Sequence, residues 1–252
     1  MVFSEKYGIT VCEFDVTDST NEQAKSYAKS GYWTGDNLAF IANEQTNGRG
    51  RYSRKFYSKS GVGAYLSLLF KPNSNVNNVT PIIALAAVSM TRAIELLSSA
   101  TPKIKWVNDI ILNDKKLGGI LIEGSINPES KSYNYLIVGI GVNLYSTELD
   151  EEIKGIATSL EDETGEKINK TELIGKFIQL FFEGFKNLDS DELFDEYRSR
   201  LITIGKDVTV KAIAAEYYAK AIDLNRDYSL LVTTPSGEKK RIYTGEVSVK
   251  PK

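Results

Sequence analysis

The chain has 252 residues, 42% hydrophobic and 25% charged, and a formal net charge of −2, an ordinary balance for a globular protein. Overall basicity therefore gives no route to nucleic acid, and positive charge matters only where it is concentrated locally. There is no histidine and only one cysteine, Cys12, which excludes Ser-His-Asp and Cys-His catalysis, histidine-bound zinc and an internal disulfide framework.

An enzyme of this composition has to work by charge placement, hydrogen bonds and lysine. No apolar run approaches the length of a membrane-spanning helix, and MVFSEKYGIT lacks the charged and apolar regions of a signal peptide. The simplest expectation is a cytoplasmic protein with no membrane partner. Its length suits one large domain or a main domain with a small appendage.

In chain order, TVCEFDV (10–16) reads as a strand. Ser19 with Glu22 three residues on has the form of a capping box, and Gly31 sits where the helix would end. LAFIANE (38–44) is a second strand, leading into the basic stretch EQTNGRGRYSRKFYS, and GAYLSLLF (63–70) is a third. Thr80 and Pro81 open a long, mostly apolar helix that runs to about Ser98. IKWVNDIIL and KLGGILIEG flank Asn113-Asp114-Lys115, a hairpin signature, and YNYLIVGIGVNLY (133–145) is a strongly apolar strand. Two amphipathic helices follow over 171–186 and 190–202. Beyond 203 only short alternating segments remain (KDVTVKAI, YYAKAIDL, YSLLVTTP, KKRIYTGEVSV), which predicts an all-β unit of about fifty residues.

Four constellations carry chemistry. Arg49, Arg51, Arg54 and Lys55 crowd into seven residues around Gly48 and Gly50. Glycine allows close backbone approach, and guanidinium forks grip phosphate or carboxylate at two points. At roughly 1.5–3 kcal/mol per charge-assisted bond, two or three such arginines could hold a triphosphate. A solvated hairpin tip or an arginine-rich RNA-binding segment accounts for the same run.

The second constellation folds Lys105–Asp109 against Lys116–Gly119, bringing Asn108 near two glycines that weaken a strand unless a ligand or backbone passes close by. A surface hairpin with a bulge is the alternative. The third is Gly139-Ile140-Gly141 at the end of an apolar strand, which tight strand packing explains equally well. The fourth, Asp18–Asn21, has simple helix capping as its alternative.

Taken together and in order, DSTNE, EQTNGRGRYSRKFYS, KWVND, KKLGGILIE and GIGVN resemble the biotin protein ligase family over most of residues 10–145, and TGEVSV resembles its closing strand. The usual loop reads G-R-G-R-x-G-R-x-W. Here Ser53 replaces the third glycine, Phe56 the tryptophan, and Val107 the proline of K-W-P-N-D.

The resemblance implies an α+β fold, with a mixed β-sheet flanked by helices of the class II synthetase-like type over 1–202 and a small SH3-like β-barrel over 203–252. It implies an ATP-dependent reaction in which biotin and ATP give biotinyl-5′-AMP, after which the biotinyl group passes to a lysine of a biotin carboxyl carrier protein. Ser19, Thr20, Asn21 and Gln45 would meet the ureido head of biotin. Gly48, Arg49, Gly50 and Arg51 would close over its carboxylate and the phosphates, and Gly118 and Gly119 would leave room for the valeryl chain. Arg49, Arg51, Arg54, Phe56, Lys105, Asn108, Lys116 and Asn143 would surround ATP; Lys116, Arg49 and Arg51 would be catalytic, with Lys116, which would also meet the biotin carboxylate, the most rate-critical. Mg²⁺ is expected with the nucleotide, with no protein ligand assigned. The resemblance implies a homodimer, and DNA is not an expected partner, because the catalytic motifs begin within about ten residues of Met1 and leave no room for the DNA-binding domain that some members carry. A lipoate or octanoate ligase of the same fold and an RNA-binding module are the rival readings.

Overall fold

The computed structural model describes residues 1–72, 78–146, 155–212, 215–243 and 245–249. Its larger layer is an eight-stranded mixed sheet built from β1 (Phe3–Lys6), β2 (Ile9–Thr17), β3 (Leu38–Gln45), β4 (Gly63–Phe70), β5 (Lys103–Lys105), β6 (Asp109–Leu112), β7 (Lys115–Ile126) and β8 (Tyr133–Asn143). The order is β1-β2-β3-β4-β8-β7-β6-β5, with β2 and β3 parallel and every other neighbour antiparallel. The sheet carries α1 (Thr20–Lys29) on one face. On the other lie α2 (Thr80–Leu97), α4 (Lys170–Phe185) and α5 (Asp191–Arg200), and the short α3 (Leu160–Thr164) sits beyond the end of β8.

Strand alternation decides what each face holds. On β4 and β8, Ala64, Leu66, Leu68, Phe70, Leu136, Val138, Ile140 and Val142 join the core under α2 and α4. The residues between them face the other way, and Leu69, Tyr135 and Ile137 pack with Cys12, Phe40 and Ala24 beneath α1. Past α1 the same face continues as Ser67 and Tyr65 on β4, opposite Gly139 and Gly141 on β8. There the apolar floor ends and a polar cleft begins.

A second, five-stranded antiparallel sheet follows: β9 (Asp207–Ala212), β10 (Ala215–Leu224), β11 (Leu230–Thr233), β12 (Lys239–Ile242) and β13 (Glu246–Val249), in the order β12-β11-β10-β9-β13. This is the small all-β unit expected after residue 203. Its buried Val208, Val210, Leu230 and Val232 belong to the same continuous core as the first sheet. Trp106 spans the junction, donating from its backbone N–H to Thr203 Oγ1 (3.0 Å) and from its indole to Tyr228 O (3.1 Å).

Several expectations need correcting. IKWVNDIIL is two strands, β5 and β6, folded back on each other by a turn at 106–108; the fully buried Tyr197 hydroxyl donates to Val107 O there (2.8 Å). KKRIYTGEVSV likewise divides into β12 and β13. The capping box does not form: Ser19 stands at the N-cap of α1 without a side-chain cap bond, and Glu22 pairs with Arg49 instead. Contrary to the expectation that no run reaches membrane-spanning length, α2 is long and apolar enough to do so. Its burial against α4, α5 and the sheet accounts for that composition in a core helix.

Candidate active site

The cleft lies on the α1 face and gathers residues from seven segments: the start of α1, Gln45 at the end of β3, the 49–56 loop, the β5–β6 turn, β7, β8, and the start of β13. Its floor is polar and buried. Thr20, Asn21 and Ser67 are 3%, 4% and 0% exposed. Gln45 Oε1 accepts from the Thr20 backbone N–H at 2.9 Å, and its Nε2 donates to Ser58 Oγ at 2.9 Å. Asn21 Nδ2 donates to Glu123 Oε2 at 2.8 Å.

The two glycines of β8 make this floor possible. A Cβ at Gly139 would lie 2.1 Å from Asn21 Oδ1, and one at Gly141 would lie 2.4 Å from the Phe56 ring. Each glycine therefore lets one site side chain lie flat on the strand. Phe56 also meets Tyr65 edge to face, with ring centroids 6.4 Å apart.

The basic stretch forms a small hairpin that leans over the cleft, not a free solvated tip. Phe56 N donates to Gly48 O (2.8 Å), Gly50 N to Arg54 O (2.7 Å), and Arg49 bridges Lys55. Tyr52 and Ser53 turn the chain at φ of 55° and 60°. Glycine adopts that region freely, so Ser53, at the place of the usual third glycine, holds a conformation side chains disfavour.

Each arginine of the hairpin has its own partner. Arg49 pairs with Glu22 and lies 3.5 Å from Glu123. Arg51 donates to Asn108 Oδ1 (2.9 Å), to Gly245 O (2.8 Å) and to Tyr52 OH (3.1 Å). Arg54 bonds Glu246 at 2.6 Å. The loop is thus tied to α1, to the β5–β6 turn and to the C-terminal unit together.

Asn108 is 9% exposed and donates to Ile120 O at 2.7 Å, so its Oδ1 is held in place for Arg51. The turn at Asn113 and Asp114 has positive φ at both residues, the two-residue hairpin geometry, and brings Lys116 back beside Asp109 (Nζ to Oδ1, 2.6 Å). Lys55 and Lys105 also line the cleft. Arginine and lysine groups thus enter from the loop, β5 and β7, an arrangement suited to drawing two anions together.

Of the sixteen residues to which the resemblance gives a substrate, thirteen line this cleft: Ser19, Thr20, Asn21, Gln45, Arg49, Gly50, Arg51, Arg54, Phe56, Lys105, Asn108, Lys116 and Gly119. Three do not. Gly48 lies beneath the hairpin, where a Cβ would be 2.3 Å from Phe56 O. Gly118 points to the opposite face of the sheet, where a Cβ would be 2.5 Å from Gly141 O, so it accommodates backbone and not a ligand. Asn143 is spent at the end of β8, donating to Thr158 O at 3.0 Å.

Sequence reading gave no role to Asp109, Trp106, Glu123, Ser67 or Glu246. Asp109 stood inside a recognised motif, but Glu246 reaches the cleft from almost two hundred residues away and carried no local signal. Both carboxylates that line the cleft, Asp109 and Glu246, are bonded to cations. Among the described residues no group of three His, Cys, Asp or Glu could hold a metal ion.

Comparison with known proteins places this geometry. The biotin/lipoate A/B protein ligase family matches residues 13–143. The bifunctional ligase/repressor BirA of Bacillus spizizenii is 31% identical over 240 residues, covering 93% of this chain and 72% of that protein. The biotin--[acetyl-CoA-carboxylase] ligase of Paracoccus denitrificans is 26% identical over 232 residues, 88% of this chain and 93% of its own. Among solved structures, the biotin protein ligase from Aquifex aeolicus in complex with biotin and ATP superposes with a TM-score of 0.81 at 29% identity, covering 96% of this chain and 99% of that one.

Proposed function

The chain belongs to the biotin/lipoate A/B protein ligase family and is an ATP-dependent biotin protein ligase, and we propose which of its residues carry each part of that reaction. It forms biotinyl-5′-AMP from biotin and ATP, then transfers the biotinyl group to a lysine of a carboxylase carrier. In the first half a carboxylate oxygen of biotin attacks the α-phosphorus and the bond to pyrophosphate breaks. In the second, a lysine amine attacks the acyl carbon, AMP leaves with the electron pair, and the amine loses a proton.

The first half presses one anion onto another, so alignment and charge neutralisation dominate, and a chain without histidine can supply both. The observation that carries the assignment of roles is the entry of Lys116, Arg51 and Lys105 into one cleft whose far end is neutral and polar. Ser19, Thr20, Asn21 and Gln45 take the uncharged ureido head, and Gly119 makes room for the chain leading from it. Lys116 lies where the carboxylate and α-phosphate meet, stabilising charge as their bond forms. Arg49 and Arg51 close over both anions, while Arg54, Lys105 and Phe56 border the nucleotide, with Asn108 acting by holding Arg51.

Among the described residues the cleft has no cluster of carboxylates for a resident metal, and the two that line it are already engaged. Mg²⁺ belongs to this proposal as the companion of ATP, carried by phosphate oxygens, and no step depends on a protein ligand for it. Two functional parts are proposed, 1–202 for chemistry and 203–252 as a wall of the nucleotide end, supported by the bonds from Arg51 and Arg54 to Gly245 and Glu246. A cytoplasmic homodimer completes the reading. The outer edge of β1, which ends the eight-stranded sheet, offers a second copy a surface for pairing.

Biotin-dependent exchange of pyrophosphate with ATP, followed by labelling of a purified carrier domain, tests the assignment. Biotin is expected to support both steps; exchange supported by lipoate or octanoate but not by biotin overturns it.

A further inference from the structure

Helix α5 lies beyond the residues matched to the family, yet one of its side chains holds the turn between β5 and β6. Of residues 105–109, Lys105, Trp106, Asn108 and Asp109 line the cleft, while Val107 is buried in the core. The Tyr197 hydroxyl donates to Val107 O at 2.8 Å. Tyr197 is fully buried and does not line the cleft, so it is not placed to touch either substrate.

A peptide group is planar, so pinning Val107 O also fixes the plane of the Asn108 N–H that shares it. On the other side, Asn108 O accepts from Ile120 N (3.0 Å), and Asn108 Nδ2 donates to Ile120 O (2.7 Å). With backbone and amide nitrogen committed, Asn108 Oδ1 faces Arg51 at 2.9 Å. Burial pushes the Tyr197 phenol far above its usual 10; neighbouring Tyr228 adds to this and the Arg51 charge opposes it. The hydroxyl therefore keeps its proton and stays a donor.

Helix α5 is itself held from the C-terminal unit. The Tyr197 ring packs against Tyr228, with centroids 5.8 Å apart, and Arg198 pairs with Asp223 at 2.6 Å. Tyr228 O also accepts from the Trp106 indole, so both neighbours of the turn grip it together.

We infer that Tyr197 is a positioning residue for the nucleotide end of the cleft: through Val107 O it sets the Asn108 amide that aims Arg51 at the anions. The inference rests on the role proposed for Arg51. It gives α5 a part in the reaction beyond packing, and it leaves the head of the acid substrate, held from α1 and β3, outside the reach of Tyr197.

Tyr197→Phe keeps the ring and removes only the hydroxyl. In biotin-dependent pyrophosphate exchange by the whole chain, KM for ATP is expected to rise about fivefold, the scale of one lost hydrogen bond. KM for biotin should stay within about twofold of wild type, and free biotinyl-5′-AMP during turnover should rise as KM for ATP does. Asn108→Ala, which breaks the same relay one step later, is expected to reproduce this pattern. In an Arg51→Ala background Tyr197→Phe is expected to add nothing, because it acts through that guanidinium. Phe177→Leu removes ring packing with Phe181 in α4, a helix packed on α2 and β4; it should lower the melting temperature but keep both KM values and the adenylate.

The inference is overturned if Tyr197→Phe or Asn108→Ala leaves KM for ATP within twofold of wild type, or raises KM for biotin equally. Equal losses with and without Arg51, or leakage from Phe177→Leu matching that from Tyr197→Phe, also overturn it. A wild-type chain without biotin-dependent exchange overturns the ligase assignment itself, a result that needs no variant.

Discussion

Lys116 Nζ lies 2.6 Å from Asp109 Oδ1, across the two strands that the Asn113–Asp114 turn joins. Asp109 stands opposite Gly119 in the ladder, and a Cβ at Gly119 would be 3.4 Å from the Lys116 ammonium. The pair holds the cation over Gly119, where β7 has no side chain beneath it. Lys116→Ala is expected to lower biotin-dependent ATP–pyrophosphate exchange by about 10²–10³-fold, the loss typical of removing a group aimed at developing charge. Lys116→Arg should recover part of it, since the charge returns with a different shape. Near-normal exchange by Lys116→Ala would remove this lysine from the chemical step.

Arg51 ties the hairpin to Asn108 and to Gly245 O, so beside its proposed role as an anion ligand it is a clasp. Arg51→Ala should loosen the cover over biotinyl-5′-AMP more than it slows its formation. The expected signs are adenylate found free in solution during turnover and labelling of bystander lysines on unrelated proteins. Retention of adenylate equal to wild type would show that the clasp lies elsewhere.

The two glycines of β8 lie under residues proposed for different substrates. Gly139→Ala meets the Asn21 amide, and Gly141→Ala meets the Phe56 ring. Overpacking of this kind costs about 1–3 kcal/mol where the neighbour cannot yield. The first variant is expected to raise KM for biotin about tenfold with KM for ATP little changed, and the second the reverse. Steady-state kinetics with each substrate varied in turn checks the split, and equal effects from both variants would refute it.

Glu163 steadies the hairpin that delivers Lys116. Thr158 Oγ1 (2.6 Å), Asn113 Nδ2 (2.8 Å) and Lys115 Nζ (3.1 Å) all donate to its carboxylate. The bond from Thr158, then that from Asn113, holds this carboxyl well below its ordinary 4.5, at about 2. A folded value below the unfolded one gives stability that is complete above the unfolded value and is lost as pH falls through the folded one. Glu163→Gln should therefore lower the melting temperature at neutral pH and flatten its decline between about pH 4.5 and 2. An unchanged acid limb would mean that these bonds add nothing to folding.

Most of the fold was legible because long, strongly periodic runs state their own structure. The strands at 38–45 and 63–70 and the helices at 80–97 and 170–185 fall within a residue or so of where the pattern put them. What escaped was short or interrupted. β1 has four residues and α3 five, too few for a period to show. IKWVNDIIL reads as one apolar run, and the turn that divides it is held by distant groups, among them Tyr197 and Thr203 some ninety residues away. The supposed capping box failed for the same reason: Glu22 has a distant arginine that attracts it more than its own helix terminus.

The sequence alone determined the chemistry on offer: no histidine, a glycine-spaced cluster of arginines, and a lysine placed after a two-residue turn. Those facts are local, because charge, backbone freedom and turn type belong to a few adjacent residues. Only the tertiary structure decided which groups meet. It placed Gly119 in the cleft and its neighbour Gly118 on the far side, through the two-residue period of a strand. It also brought Glu123, Ser67, Gly245 and Glu246 to residues far from them in the chain. Such pairings follow from the order and register of the strands, which are set by packing the whole sheet and are written in no single segment.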